Sequence, residues 1–244
     1  MKPNFLLLPF LSFLFLLNSC KEELEVLDEI EIKDPQAKIE SLQDSISFEL
    51  DGSIYTFDRP LGHGSGNAQV NLDSVTDKGH PDSVLYWREF KMMNSNFEGI
   101  GIRFVKKYSK NQLSSINFMS RPTNVLELYT KGMQPYAVDF GRFNTTDGIT
   151  IDASLIDSNS NRLNLQTYLP EMRRWLTSIG YDCQENSSFE ITNLHKLSTG
   201  GYLLEAKFSA NLFYFEGKIT ADKKVMEEAK PKRIKNGYIR LRVD

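Results

Sequence analysis

From Ser45 onward the chain repeats with a period of two. Ile46, Phe48 and Leu50 alternate with Ser45, Ser47 and Glu49, Asp51-Gly52 follows, and an apolar run resumes over Ile54 to Phe57. Alternation puts the apolar side chains on one face of a strand, and Asp-Gly supplies the two positive-φ positions of a tight turn, so a β-hairpin is predicted here. Val84 to Met92 reads as a strand with both faces partly apolar. Within Phe97 to Val105, Ile100, Ile102 and Phe104 share one face while Gly99, Gly101 and Arg103 share the other. Glycines on one face of a strand mark a bulge or the close approach of another backbone. Leu204, Ala206, Phe208, Ala210, Leu212 and Tyr214 alternate with polar residues, and Ile239, Leu241 and Val243 do the same in a last strand. One wet face per strand is the signature of an antiparallel sheet packed on one side.

Helical signals are few. Pro122, the stripe Val125, Leu128 and Tyr129, and Gly132 at the C′ position predict one short helix over Thr123 to Lys131, with its apolar face a lid on the sheet. Pro170 to Ile179 has Leu169, Met172, Leu176 and Ile179 at helical spacing. The expected fold is therefore mainly β: an antiparallel β-sandwich-like single domain with one or two short helices, a size common for one all-β unit.

The N-terminus follows a different rule. Lys2 gives a positive start, Phe5 to Leu17 are apolar except for Pro9 and Ser12, and Leu17-Asn18-Ser19-Cys20 follows. Thirteen residues are too few for a bilayer, which needs roughly 20, so a cleaved signal is favoured over a permanent span. The run ending at Cys20 resembles the lipobox of bacterial lipoproteins. The resemblance implies removal of residues 1–19, lipid on Cys20 and attachment to a membrane through acyl chains. An ordinary secretory signal followed by a coincidental cysteine is the alternative. Lys21-Glu22-Glu23 is similar to the signal that carries lipoproteins of the phylum Bacteroidota to the outer surface of the outer membrane. The other reading is a solvated charge run opening a linker. Residues 20–44 are acidic, lack aromatics and contain Pro35, so they are expected to form a flexible tether, with the folded domain at 45–244.

Composition removes some function classes. The chain carries 29 basic and 32 acidic residues, a formal charge of −3, and loses one more positive charge with the leader. No basic excess argues for a nucleic-acid partner. There are two cysteines. Lipid on Cys20 would leave Cys183 without a partner in the chain, so neither a disulfide nor a two-cysteine metal site is expected.

The C-terminal half carries a further pattern. Phe140-Gly141, Asp147-Gly148-Ile149-Thr150-Ile151, Arg174-Trp175-Leu176-Thr177-Ser178, Gln184, Ser187-Ser188-Phe189-Glu190-Ile191-Thr192, Phe208-Ser209-Ala210 with Leu212 and Asn236-Gly237-Tyr238-Ile239 together resemble the closing half of a group of Bacteroidota lipoproteins with all-β, sandwich-like domains. The resemblance spans residues 125–244 and rests on strand and turn residues rather than chemistry. It implies that Arg174 to Ser178 form a strand, against the helical spacing there, and that residues 157–172 are an insertion.

Candidate chemistry is thin. Gly62-His63-Gly64-Ser65-Gly66 lacks the Lys-Ser/Thr of a phosphate loop and the spacing of a nucleophile elbow, and is read as a flexible turn. Asp77, His80 and Asp82 offer ligand-type side chains in a polar loop with Pro81. Asp157, Asn159 and Asn161 match the opening of a calcium loop, but Arg162 and Tyr168 stand where glycine and the bidentate glutamate belong, so a turn is the leading reading and a weak metal site the lesser. Ser45, Ser74 and Ser83 each follow aspartate and precede an aliphatic residue, which resembles the O-glycosylation acceptor of exported Bacteroidota proteins. The basic loop Asp222 to Lys235 reads as solvated or as a contact for anionic headgroups. Trp87 and Trp175 are read as partly buried core, with a sugar-stacking platform as the alternative.

No catalytic constellation is present and no cofactor is expected. The functional expectation is a lipid-anchored outer-membrane module facing the medium that captures a glycan or nutrient. A structural or protein-interaction role in the cell envelope is the alternative. An enzyme would need Asp77, His80 and another carboxylate to meet in one pocket.

Overall fold

The fold follows from strand parity. In the computed structural model β1 (Ser45–Leu50) buries Ile46, Phe48 and Leu50 and turns at Asp51 (φ 51°) and Gly52 (φ 79°) into β2 (Ser53–Phe57). Both turn residues lie in the left-handed region, as the Asp-Gly hairpin requires. The described residues are 34–71, 79–116, 119–157, 159–169, 179–214, 217–219, 224–226 and 231–244. From Gln36 onward they belong to one unit, Gln36–Asp244.

The strands form two curled antiparallel sheets, and the expected mainly β, sandwich-like fold is what is found. The first sheet runs β2, β1, β15 (Lys232–Val243), β12 (Tyr202–Tyr214) and β11 (Ser188–Lys196), with short β8 (Gly132–Met133) at its edge. The second runs β3 (Arg59–Asn71), β4 (Gly79–Met93), β5 (Gly99–Ser109), β9 (Gly148–Ile156) and β10 (Arg162–Gln166). β12 passes between them: its first part pairs with β11, whereas Phe213 and Tyr214 pair with Gln166 and Leu165 of β10. Two further hairpins, β6–β7 (Leu113–Ile116, Met119–Pro122) and β13–β14 (Gly217–Ile219, Lys224–Met226), stand outside these sheets.

The core is aromatic. Phe104 on β5 is fully buried and meets Phe90, Tyr129 and Phe189 edge-on at centroid distances of 6.0, 5.0 and 6.1 Å. Truncating such a side chain to alanine costs about 3–5 kcal/mol. Tyr129 reaches it from a 3-10 helix over Val125–Tyr129, which buries Leu128 and Tyr129 as the expected lid does. The element is shorter than the Thr123 to Lys131 helix expected, because Asn124 and Thr130 on either side of it are extended.

One local expectation is corrected. Gly62 to Gly66 is the middle of β3, paired in register with Lys91 to Trp87 of β4, and is not a flexible turn. The glycines alternate onto the outer face, and a Cβ at Gly66 would lie 2.8 Å from Cε2 of Trp87, so the missing side chain admits the indole. Bonding also begins ahead of Ser45. The helix α1 (Pro35–Ser41) sends Gln36 Nε2 to the Lys196 carbonyl at 3.1 Å, and Glu40 accepts the Ser198 amide at 2.8 Å. Arg242 then donates to Asp44 at 2.7 Å and to the Leu42 carbonyl at 2.7 Å. The stretch just before β1 is thus held against β15 and the β11–β12 turn.

Candidate functional site, a glycine-floored groove

Parity on the second sheet places one set of side chains outside. Lys91 pairs with Gly101, Glu89 with Arg103 and Trp87 with Val105, while Gly101 and Arg103 pair with Asp152 and Thr150 of β9. Opposite Asp152 and Ser154 stand Gln166 and Asn164 of β10. Along the centre strand Gly99 and Gly101 carry no side chain, and a groove of about 350 Å3 runs there, lined among others by Lys91, Asp152, Ser154, Asn164 and Gln166, with Leu61. A Cβ at Gly101 would have Glu89 Oε1 at 3.4 Å, and one at Gly99 would have only the Met92 carbonyl, at 3.8 Å. Among the described residues no other backbone comes within 4 Å of those positions. They leave room instead.

Arg103 closes one end. Its Nη2 is 2.5 Å from Glu89 Oε1 and its Nη1 is paired with Asp152 Oδ2. Lys91 Nζ approaches the second Glu89 oxygen at 3.0 Å, and the Tyr168 hydroxyl donates to Asp152 Oδ1 at 2.8 Å. Two acids and two bases therefore balance. Burial alone would lower the Arg103 pKa, but Asp152, Tyr168 and Glu89 outweigh it and hold the guanidinium above its ordinary value. Burial raises the Asp152 carboxyl above the usual range, and Arg103 and Tyr168 only partly offset it. Tyr168 is raised too, by burial first and then by the Asp152 charge. Arg103 bonds both carboxylates and opposes the effect of burial on Asp152 without cancelling it, so one cation holds the two acids together.

An aromatic wall stands behind Arg103. The guanidinium carbon lies 5.2 Å from the Phe140 ring centroid, and Phe140 meets Trp87 and Tyr168 edge-on at 5.4 and 5.5 Å. Phe140 is placed by a loop tied to the sheet: Ala137 N donates to the Ile149 carbonyl at 2.9 Å and Leu169 N to the Val138 carbonyl at 2.8 Å. Asp139, fully buried, accepts from the backbone of Thr145 at 2.9 Å and of Thr146 at 3.0 Å, which satisfies donors the tight turn leaves open. At the other end Arg162 Nη1 donates to Ser154 Oγ, and Ser154 Oγ to Asn164 Oδ1, both at 3.0 Å.

The residues singled out from sequence lie elsewhere. Cys20, Lys21, Glu22, Glu23, Ser74, Asp77 and Trp175 fall outside the described residues, as do most of Pro170 to Ile179 and the side chain of His80. Ser45 opens β1 opposite Arg240 and Ser83 faces Ser109 within β4; both are half-buried strand residues. Asp157, Asn159 and Asn161 form the β9–β10 turn. Asp157 accepts the Asn159 and Asn161 amides at 2.9 and 2.8 Å, and these bonds lower its carboxyl pKa, the Asn161 one most. Its oxygens face the loop's own donors, which is the turn reading. Among the described residues no three His, Cys, Asp or Glu side chains group as a metal site. In the basic stretch near the C-terminus, Lys232 pairs with Asp51 and Arg233 donates to Ser187 Oγ at 2.8 Å, so these two serve the fold. Trp87 is half-buried, packed over Gly66 and against Phe140.

Sequence reasoning did not name Glu89, Lys91 or Asp152 as site residues. The available signal was the shared face of Gly99, Gly101 and Arg103, which marks the groove floor and its end. No helix among the described residues is long and apolar enough to cross a membrane. No family model, no curated protein and no solved structure matches the chain.

Proposed function

We propose that this chain is a lipid-anchored protein of the outer membrane, facing the medium and related to Bacteroidota surface lipoproteins, whose β domain captures a neutral, hydroxyl-rich ligand such as a glycan. The address rests on the leader, Cys20 and Lys21-Glu22-Glu23. The ligand class rests on one observation: the groove over Gly99 and Gly101 is walled by paired acceptors and donors of balanced charge. Sugar hydroxyls both donate and accept, so carboxylate oxygens, the Lys91 ammonium and the Asn164 and Gln166 amides suit them better than they suit an ion of either sign. A flat glycine floor admits a ring against the sheet.

The test uses the full chain in mild detergent on a broad glycan array, with the Lys91→Ala, Asn164→Ala double variant beside it. Both positions lie on the open side of the groove. Binding by the parent with at least tenfold loss in the double variant, at unchanged thermal stability, supports the reading. Absence of binding to any glycan defeats it.

A structural or protein-interaction role in the envelope is the second reading. It is favoured by Ile54 and Leu61, 81% and 57% exposed, on consecutive strands at the ends of the two sheets. Exposed apolar residues along strand edges are docking points for other chains. Cross-linking in intact cells that recovers no protein partner would remove it.

A further inference from the structure

The turn between β4 and β5 has a backbone suited to glycine and carries phenylalanine instead. Asn94 N donates to the Glu98 carbonyl at 3.1 Å and Phe97 N to the Asn94 carbonyl at 3.3 Å, which leaves Ser95, Asn96 and Phe97 as the loop. A three-residue hairpin loop of this kind ends in a left-handed residue, normally glycine. Here that residue is Phe97, at φ 60° and 68% exposed. A left-handed backbone is strained for a bulky side chain, and this ring is not buried in return.

Buried polar groups hold the turn in that state. Asn94 is 9% exposed and Glu98 5%. Asn94 Oδ1 accepts the Asn96 and Glu98 amides at 3.0 and 3.1 Å, and its Nδ2 donates to Glu98 Oε2 at 2.7 Å. The other Glu98 oxygen accepts the Ile156 amide at 2.8 Å, which fastens the turn to β9. Each of these side-chain groups has a partner, as burial requires.

The groove floor begins two residues further on. Phe97 and Gly99 are that close in sequence, so their Cα atoms are at most about 7 Å apart. Arg162 joins the turn to the groove wall: its Nη1 and Nη2 lie 3.4 and 3.5 Å from the Phe97 carbonyl, and the same Nη1 donates to Ser154 Oγ. The lining of the groove itself contains no aromatic ring. Phe97 supplies one just past its open end.

We propose that the Phe97 ring is an outer subsite of the groove, stacking against the second ring of an oligosaccharide whose first ring lies over Gly99 and Gly101. It rests on the glycan reading of that groove and adds a preference for oligomers over single sugars. The C–H face of a sugar ring is apolar and suits the electron-rich face of an aromatic, while Ser154, Asn164 and Arg162 suit its hydroxyls. Glycine at position 97 would relax the turn and lose this contact.

The test is a glycan array on which each sugar series runs from one ring to several, probed with the full chain in mild detergent and with Phe97→Gly and Phe97→Tyr. The parent is expected to bind oligomers at least tenfold better than the matching single sugar. Phe97→Gly should lose that advantage, keep the single-sugar signal and unfold in urea at a midpoint no lower than the parent's, and Phe97→Tyr should keep the advantage. Glycan binding by the parent that does not favour oligomers, or that Phe97→Gly matches, overturns the subsite and leaves the groove reading standing, as does loss of the advantage in Phe97→Tyr. A lowered midpoint for Phe97→Gly makes the ring a fold contact and overturns it as well. Absence of binding to any glycan removes the groove reading, and the subsite with it.

Discussion

Replacing Arg103 by methionine keeps the length of the side chain and removes the cation that two carboxylates share. Breaking a fully buried ion pair from one side costs about 3–5 kcal/mol, because the partner is left charged and unpaired. Here the cost is smaller. Glu89 retains Lys91 at 3.0 Å, and Asp152 retains the Tyr168 hydroxyl at 2.8 Å and is 32% exposed. The expected loss for Arg103→Met is therefore about 2–3 kcal/mol at pH 7. It should also depend on pH in one direction. Burial already raises the Asp152 carboxyl, and Arg103 is the main group that opposes it. Without Arg103 the folded chain takes up a proton at Asp152 well above the unfolded value near 3.8, so its stability rises as pH falls toward that value. The deficit relative to the parent should shrink between pH 7 and pH 5. Adding Asp152→Asn to Arg103→Met should recover most of the loss and flatten the dependence. Urea unfolding followed by tryptophan emission measures each term. A deficit below about 1 kcal/mol, or one that does not change with pH, would show that water already screens the cluster and that the groove end is not preorganised.

Three further outcomes are expected. Gly66→Ala pushes a Cβ against the Trp87 indole, so it should cost about 1–3 kcal/mol and alter the tryptophan emission, whereas Gly64→Ala, whose nearest neighbour is Glu89 Oε2 at 4.0 Å, should be close to neutral in urea unfolding. The Glu205 carboxyl is held below its ordinary value first by the Tyr238 hydroxyl and then by Asn193, His195 and Arg240, so its contribution is present above about pH 4.5 and lost as pH falls through the folded value. Glu205→Gln should cost about 1 kcal/mol or more at pH 7, and progressively less as pH falls below 4.5, when the two stability curves are compared. Burial, with Asp182 adding, pushes the Cys183 thiol up to about 11, so iodoacetamide at pH 8 should label it about a hundredfold more slowly in the native chain than after denaturation. In membrane-derived material the denatured chain should then show one thiol if Cys20 carries lipid and two if it does not.

What was legible in the chain was what local chemistry decides. Asp51 and Gly52 adopt the positive φ their types favour, and the alternations in β1, β12 and β15 bury the residues that period two assigns. Gly62 to Gly66 was misread because its conformation is set by β4, and no local rule shows that alternate glycines are there to receive Trp87 and to leave a face open. The 3-10 helix at Val125 had a true stripe, but a stripe does not count turns. The groove was hidden for a related reason. Glu89, Arg103 and Asp152 come from three strands, and only pairing across β4, β5 and β9 makes them neighbours. No spacing within the chain encodes that.

Strand β4 carries the groove charges on one face and a buried arginine on the other, and its register fixes both. Glu89 and Lys91 face the groove, while Tyr86, Arg88 and Phe90 face the interior. A slip of one residue would exchange the two sets, placing Arg88 outside and both groove charges within the aromatic core. Two features oppose it. Against β5 the pairing is unbroken from Ser83–Ser109 to Met93–Gly99, and on the other side the irregularities at Pro60/Gly62 and Gln69/Asn71 bracket the glycine run of β3. Slipping β4 would also carry Trp87 off Gly66, the glycine that leaves room for it on that face. Alternating glycine in β3 thus does on the edge what a core residue does inside. It makes one register much better than its neighbours, and so keeps a buried arginine and a groove-facing carboxylate on opposite sides of a single strand.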